Sequence, residues 1–451
     1  MSGGLPTAAL EEHGMKVLAV TTLLVVANCA IAAPDPLAQW PQWRGPLATG
    51  EAPQAKPPLS WAEDHNVRWK APLPGIGVST PIVWDDRIIV TASVPIGERL
   101  TSPAPSPGAH DNMATRHKHK FLVMAVNRRD GSVLWDRLAA TQQPHETTHR
   151  SSSWASASPV TDGEHIAAFF GSAGVCGLTM AGELLWHKDL GNMQTKHGHG
   201  EGSSPALYGN RIIVNWDHEG DSFVVCLDKR TGEELWRRER IEPTSWSTPI
   251  VVVHEGRPQV IVSATNRVRA YDLETGDDVW ACGGLSGNVV ASPVAGDSYV
   301  YAGSSYEHQA MLGIPLATAK GDITGTRAVA WHRRAQTPYV PSPLLYGDEL
   351  YFIRHIQGFI TCLDAKSGRT HYGSKRLPGL RRIYASPAGA AGRVYIMGRG
   401  GLTYVLKRGP RFEVLARNQL DDVFSASPVL VGNELYLRGH NSLYCIVENN
   451  H

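Results

Sequence analysis

Two short runs concentrate the imidazoles and carboxylates with which this chain could do chemistry. His145-Glu146-Thr147-Thr148-His149 has the H-E-x-x-H spacing of a zinc hydrolase, and His197-Gly198-His199-Gly200-Glu201-Gly202 alternates ligand-type side chains with glycine. The H-E-x-x-H pattern works on a helix, where positions i and i+4 share a face and the glutamate serves as general base. Here Pro144 precedes the run, two β-branched threonines lie inside it, and Ser151-Ser152-Ser153 follows. No amphipathic period surrounds it, so a loop is expected and a zincin is not.

A third run, Trp216-Asp217-His218-Glu219-Gly220-Asp221, follows the second closely. The metal-ligand candidates are therefore His145, His149, His197, His199 and His218. The ligand-binding candidates are His197, His199, Glu201, Asp217, His218 and Glu219, joined by Arg381, Tyr384 and Arg399 as a group able to receive an anion. The competing reading is that these polar side chains hydrogen-bond one another and nearby backbone to shape a loop surface. No set has the mutual arrangement of nucleophile, base and orienting group, so no residue is assigned as catalytic.

The elements that carry these runs are repeats. Ser79-Thr80-Pro81, Ala157-Ser158-Pro159, Ser203-Ser204-Pro205, Ser247-Thr248-Pro249, Ala291-Ser292-Pro293, Pro341-Ser342-Pro343, Ala385-Ser386-Pro387 and Ala426-Ser427-Pro428 are copies of one strand opening. Each is followed by a turn and an alternating strand, as in Tyr208-Gly209-Asn210-Arg211-Ile212-Ile213-Val214, and then by a hairpin such as Leu227-Asp228-Lys229-Arg230-Thr231-Gly232-Glu233-Glu234-Leu235-Trp236. In that hairpin Asp228 can bond backbone N–H groups and Gly232 can take positive φ. Trp186, Trp236 and Trp280 close successive repeats and are read as blade-packing anchors. A period in the forties with several strands per period denotes propeller blades.

The fold expected is all-β, an eight-bladed β-propeller of four-stranded repeats. Asn66-Val67-Arg68-Trp69 supplies the end of a hairpin whose beginning, Ser442-Leu443-Tyr444-Cys445-Ile446, lies at the other terminus. Strands from the two ends should thus close the ring and leave no open edge. Antiparallel alternation then puts the three polar runs, with His110, His117, His308, His355 and His440, on one face.

Composition narrows the partners. The 451 residues are 42% hydrophobic and 19% charged with a formal net charge of +1, so nucleic acid is not expected and a membrane-surface role lacks electrostatic support. Residues 1–33 read as a signal peptide, with Lys16, the apolar run Val17 to Val26 and the Ala30-Ile31-Ala32 cleavage site, and translation is expected to start at Met15. Asn28 is a poor residue before a lipidated cysteine, so Cys29 is expected to be cleaved off and not to carry a lipid anchor. Residues 34–60 form an irregular lead-in containing Trp40-Pro41-Gln42-Trp43-Arg44-Gly45-Pro46, and 61–448 the propeller. Export to the periplasm or the extracellular space follows, with no transmembrane segment after cleavage. Cys176, Cys226, Cys362 and Cys445 recur at one small core position per blade, so they are not expected to pair.

The small-Ser/Thr-Pro opening and the LDxxTGxxxW ending resemble the pyrroloquinoline-quinone (PQQ)-like repeat of quinoprotein alcohol dehydrogenases and of outer-membrane assembly factor B. The resemblance covers about residues 60 to 447 and is strongest from Ser203 to Trp280. It implies either an exported scaffold that binds an envelope protein, peptide or glycan, or a PQQ-dependent oxidoreductase. The sequence has no adjacent cysteine pair, no C-x-x-C-H and no transferable calcium-ligand set. PQQ and calcium are thus implied by the family but not by its hallmark residues, and the cofactor stays open. A hydrolase or lyase using the histidine and acidic loops is the third alternative.

Overall fold

The computed structural model describes residues 1–6 and 34–448. The apolar run, Met15, Cys29 and the Ala30-Ile31-Ala32 site lie outside the described residues. The structure is an eight-bladed β-propeller. Blade 3 shows the pattern: Ala206–Tyr208, Arg211–Trp216, Ser222–Asp228 and Glu234–Arg240 form one antiparallel meander. The closing blade is composite, with Val67–Pro72 paired to Ser442–Val447, which pairs in turn to Glu434–Arg438 and Val429–Val431. Closure from both termini removes the free edge that an open sheet would present.

The Ser/Thr before each proline does more than open a strand. Thr80 N–H donates to Ser158 Oγ, and the same bond runs from Ser158 to Ser204, Ser204 to Thr248, Thr248 to Ser292, Ser292 to Ser342, Ser342 to Ser386, Ser386 to Ser427 and Ser427 back to Thr80. The distances are 2.8–3.0 Å, forming a closed belt around the axis. Proline fixes the backbone just after each hydroxyl, and each buried N–H finds its acceptor in the next blade.

Farther out, the tryptophans join blades. Trp186 Nε1 donates to Lys229 O and Trp236 Nε1 to Leu273 O, each at 2.9 Å in the following blade. Gly232 has φ +71, and a Cβ there would sit 2.6 Å from the Trp186 ring. The turn thus needs glycine twice, for its backbone and for the neighbouring indole. Asp228 Oδ1 accepts from Arg230 N and Thr231 N. Trp280 differs: its Nε1 donates to Gln259 Oε1 in its own blade, and Gly321–Asp322 pairs alongside as a fifth strand. Blade 5 has a long connection through Leu316 and Ile323 where other blades have the short turn, and those residues pack in the Trp280 cluster. Small residues stand opposite the anchors, Cys226 across from Trp236 and Cys445 across from Trp69. The described cysteines are buried and free.

The lead-in crosses one end of the channel. Trp40 exchanges both backbone bonds with Val83, Pro41 O accepts from Thr161 N, Thr49 O from Leu345 N, Gly50 O from Gly389 N, and Lys56 N donates to Gly432 O. These partners lie on the first strands of blades 1, 2, 6 and 7 and in the first turn of blade 8. Arg44 donates to Pro387 O and Pro343 O at 2.7 Å and to Thr49 O at 3.1 Å, with 2% of its surface exposed. The segment forms a floor, and Trp43 faces the cavity above it.

Candidate functional site

Above that floor is an axial cavity of about 350 Å³. Its lower wall carries hydroxyls of the belt, including Thr80, Ser158, Ser204 and Thr248, and its upper wall carries Trp246, Tyr306, Tyr339 and Tyr384. His110, His149 and His199 complete one side. The size is within the range of small-molecule pockets, with apolar walls and a few oriented polar groups.

An insertion builds the histidine side. Blade 1 extends its second and third strands to Arg87–Ile96 and Lys118–Asn127, and the connection between them reaches over blades 2 and 3. Asn112 Nδ2 donates to Thr147 Oγ1, His197 O and Gly198 O, pinning both histidine runs to the insertion. His110 then lies 4.8 Å from His199 and 5.2 Å from His197 between ring centroids, while His149 lies 5.0 Å from His199. His197 holds φ +60, a left-handed conformation unusual for a residue with a Cβ.

The hydrogen-bond network sets the tautomers. Asn112 uses its N–H groups as above, so its Oδ1 accepts from His199 Nδ1 at 3.0 Å, and His110 Nδ1 donates to Gly108 O at 2.9 Å. Both rings therefore keep an unprotonated Nε2. His149 Nδ1 instead accepts from Ser151 N at 3.1 Å, which places its proton on Nε2. Burial and the neighbouring imidazoles push His199 down to about 4, and burial also lowers His149. His149 and His199 are thus neutral near pH 7 and offer the cavity a donor and an acceptor.

None of the residues lining the cavity is Asp or Glu. Cations stand behind its walls. Arg438, 2% exposed, donates to Ser79 O, Ser79 Oγ and Thr91 O, and burial pushes it and Arg44 down to about 9. Neither forms an ion pair with a carboxylate among the described residues. Arg399 lies 5.6 Å from the Tyr384 ring centre and donates to Arg150 O.

The structure gathers some sequence candidates and separates others. His149, His199 and Tyr384 reach the cavity, with His197 against them. His218 turns away, its Nδ1 accepting from Gln194 N and Gly220 N; Glu219 accepts from Thr244 N and Oγ1. Asp217 is buried against Arg240, with Nε 2.9 Å from Oδ1, and Arg381 is exposed on the last strand of blade 6. His145 and His149 diverge: His145 Nε2 donates to Met193 O at 2.5 Å, and Thr148–His149 is a strand paired with Asn112–Met113. That strand excludes the helix on which a zincin depends. Sequence reasoning passed over Trp43, Trp246, Tyr306 and Tyr339. Trp246 and Tyr339 carried a signal, an aromatic residue just before a Ser/Thr-Pro opening, whereas Trp43 in the lead-in and Tyr306 between the second and third strands of blade 5 carried none.

Eight closed blades with Ser/Thr-Pro openings and Trp/Gly staples define a PQQ-like β-propeller. The family model described as outer membrane protein assembly factor BamB matches residues 59–201 and 119–374, and the chain belongs to that family. A relative named outer membrane protein assembly factor BamB, from Francisella salina, is 28% identical over 92 residues, 20% of this chain and 16% of the relative. That match thus spans well under two thirds of the relative's length. The solved structure of BamB from Moraxella catarrhalis is similar with a TM-score of 0.53 at 15% identity, covering 79% of this chain and 98% of that one. A quinohemoprotein alcohol dehydrogenase from Pseudomonas putida is similar with a TM-score of 0.55 at 11% identity, covering 91% and 80%. A europium-containing methanol dehydrogenase gives 0.51 at 9% identity, covering 91% and 98%. At such identities these likenesses describe the fold.

The residues present do not fit calcium-assisted PQQ chemistry in the cavity. A hard cation takes oxygen ligands, usually carboxylates among them, and the lining supplies hydroxyls and imidazoles but no carboxylate. No described cysteine lines it either.

Proposed function

We propose that this protein is an exported, non-catalytic binding module that receives the anionic end of an envelope peptide, protein or glycan in its axial cavity. One observation carries the reading: the cavity is floored by the lead-in, walled by aromatic rings and free of carboxylates, with Arg44 and Arg438 buried behind it and Arg399 beside Tyr384. Aromatic faces hold a flat or apolar body. Uncompensated guanidinium charge favours an anion, because field lines are less screened within low-dielectric walls. The name of the matched relatives, an assembly factor for outer-membrane proteins, agrees with an envelope location and a protein partner.

The test is titration of the mature protein with acidic peptides and uronate oligosaccharides, read by tryptophan fluorescence. Saturable binding that falls about tenfold in Trp246→Leu and is absent with amidated or neutral analogues is the expected result. Equal binding of neutral analogues would sink the reading.

The alternative implied by the family resemblance, a PQQ-dependent oxidoreductase, is disfavoured by the carboxylate-free lining of the cavity. Titration with PQQ and calcium, followed by absorbance and dye reduction, discriminates it. Quinone binding with turnover would replace the first reading.

A further inference from the structure

Glu201, drawn from the glycine-rich histidine run, does not face the cavity. Its Oε1 accepts from Ser172 N at 3.0 Å and from Ser172 Oγ, and a Cβ at Gly171 would collide with its carboxylate. Only glycine at that position leaves room for it. Glu146, from the H-E-x-x-H run, meets it from the neighbouring blade connection and accepts from Thr195 N and Thr195 Oγ1. His145 is the third member, and one potential ligand atom from each of the three lies within 4.8 Å of the others. A void of about 10 Å³ separates them from Phe121, Trp154 and Phe170. That is on the scale of a single water or ion.

We propose that His145, Glu146 and Glu201 bind one divalent transition-metal ion, such as Zn²⁺ or Mn²⁺, as a structural clip between the connections that leave blades 1 and 2. One imidazole and two carboxylates match the ligand preference of these ions. The His145 Nε2–H bond to Met193 O leaves the lone pair on Nδ1, the ligand atom required, and Thr195 and Ser172 orient the two carboxylates in the manner of outer-shell partners. Charge supports the same conclusion: among the described residues no Lys or Arg forms an ion pair with either carboxylate. The other described grouping of this kind, Asp162, Glu164 and His165, already holds Lys229, whose Nζ lies 2.5 Å from Asp162. With three protein ligands, water would complete the coordination, as it does in three-ligand zinc sites.

The site is separate from the axial cavity, so its failure and that of the proposed function are distinguishable. Mature protein stripped with chelator is titrated with Zn²⁺, Mn²⁺ and Co²⁺ by calorimetry, and the Co²⁺ d–d spectrum is recorded. One ion per chain is expected, with a rise in melting temperature on binding. Glu201→Gln and His145→Gln should each weaken binding at least 100-fold, while His199→Gln leaves it unchanged. Glu201→Gln should also raise the melting temperature of metal-free protein, which separates loss of a ligand from loss of fold. No saturable binding at millimolar metal would overturn the proposal. Binding that survives Glu201→Gln but is lost in His199→Gln would overturn it too, moving the ion to the cavity wall.

Discussion

Asp217 is a buried carboxylate and Glu201 a partly buried one in nearby connections of the same propeller, and their charges are met in opposite ways. Asp217 is wholly buried and faces Arg240, 1% exposed in its side chain, with Nε 2.9 Å from Oδ1, Nη2 donating to Oδ2 and Ser245 Oγ donating at 2.6 Å. Glu242 and Arg269 extend that pair into a balanced network. Glu201 has a second carboxyl, Glu146, where Asp217 has a guanidinium. The fold supplies its own cation in one place and leaves ion-sized space in the other. Burial alone therefore does not identify a site; the missing counter-charge does.

Breaking the complete pair should give the largest effect. Arg240→Met leaves Asp217 ionised in a dry setting, and losing one partner of a buried pair typically costs about 3–5 kcal/mol. Equilibrium urea denaturation measures it. Adding Asp217→Asn should recover more than half of the loss, because most of the cost is the stranded charge. If the double variant is no better than the single one, Arg240 matters through packing on Tyr271, to which Nη1 donates at 3.0 Å.

This contrast also marks what the sequence made legible. The repeat showed the blades, the ring closure and the tryptophan anchors because each recurs at fixed spacing, and Val67–Pro72 does pair with Ser442–Val447. The hydroxyl belt was visible as recurrent Ser/Thr but not readable as such, since an N–H to Oγ bond between blades leaves no periodic trace within one blade. The site was less legible. Glu146 stood inside a motif that pointed to His149, and only the folded connections show that its neighbours are Glu201 and His145. Asp217 and Arg240 lie on adjoining elements of blade 3, yet nothing in their spacing announces a pair. The floor made by Trp43 and Arg44 depends on a segment with no repeat at all.

A neutral buried group gives a third way to avoid an unpaired charge, and acid breaks it. His119 is 3% exposed, its Nδ1 bonded to Ser93 Oγ at 2.6 Å, and burial pushes it down to about 4 from an ordinary value of 6.5. Between those values the unfolded chain binds the proton and the folded one does not, so stability rises with pH across this window. It is complete above about 6.5 and is lost as pH falls towards 4. After discounting for partial solvation the loss should be about 2 kcal/mol. Comparing urea midpoints at pH 7 and pH 4.5 checks this; His119→Gln should show a smaller difference than wild type.

Lys229 tests a half-exposed version of the Arg240 pair. Its Nζ contacts Asp162 and Glu164, but those side chains are 27% and 69% exposed, so water takes over part of the neutralisation when it is removed. Lys229→Met should cost about 1 kcal/mol, several-fold less than Arg240→Met, in the same denaturation assay.

The smallest effect should carry the opposite sign. In metal-free protein, Glu201→Gln keeps an oxygen for the two Ser172 bonds and puts an N–H donor where a like-charged group stood beside Glu146. Removing that repulsion should stabilise the chain by up to about 1 kcal/mol, because an isolated buried carboxylate costs more than a hydrogen-bonded amide of the same shape. Asp217→Asn, the same chemical change in a nearby connection, should destabilise, since it strands Arg240. Two carboxyl-to-amide substitutions with opposite signs on one denaturation axis would separate the two environments by charge alone. Equal destabilisation by both would mean that Glu201 is already neutral and needs no cation.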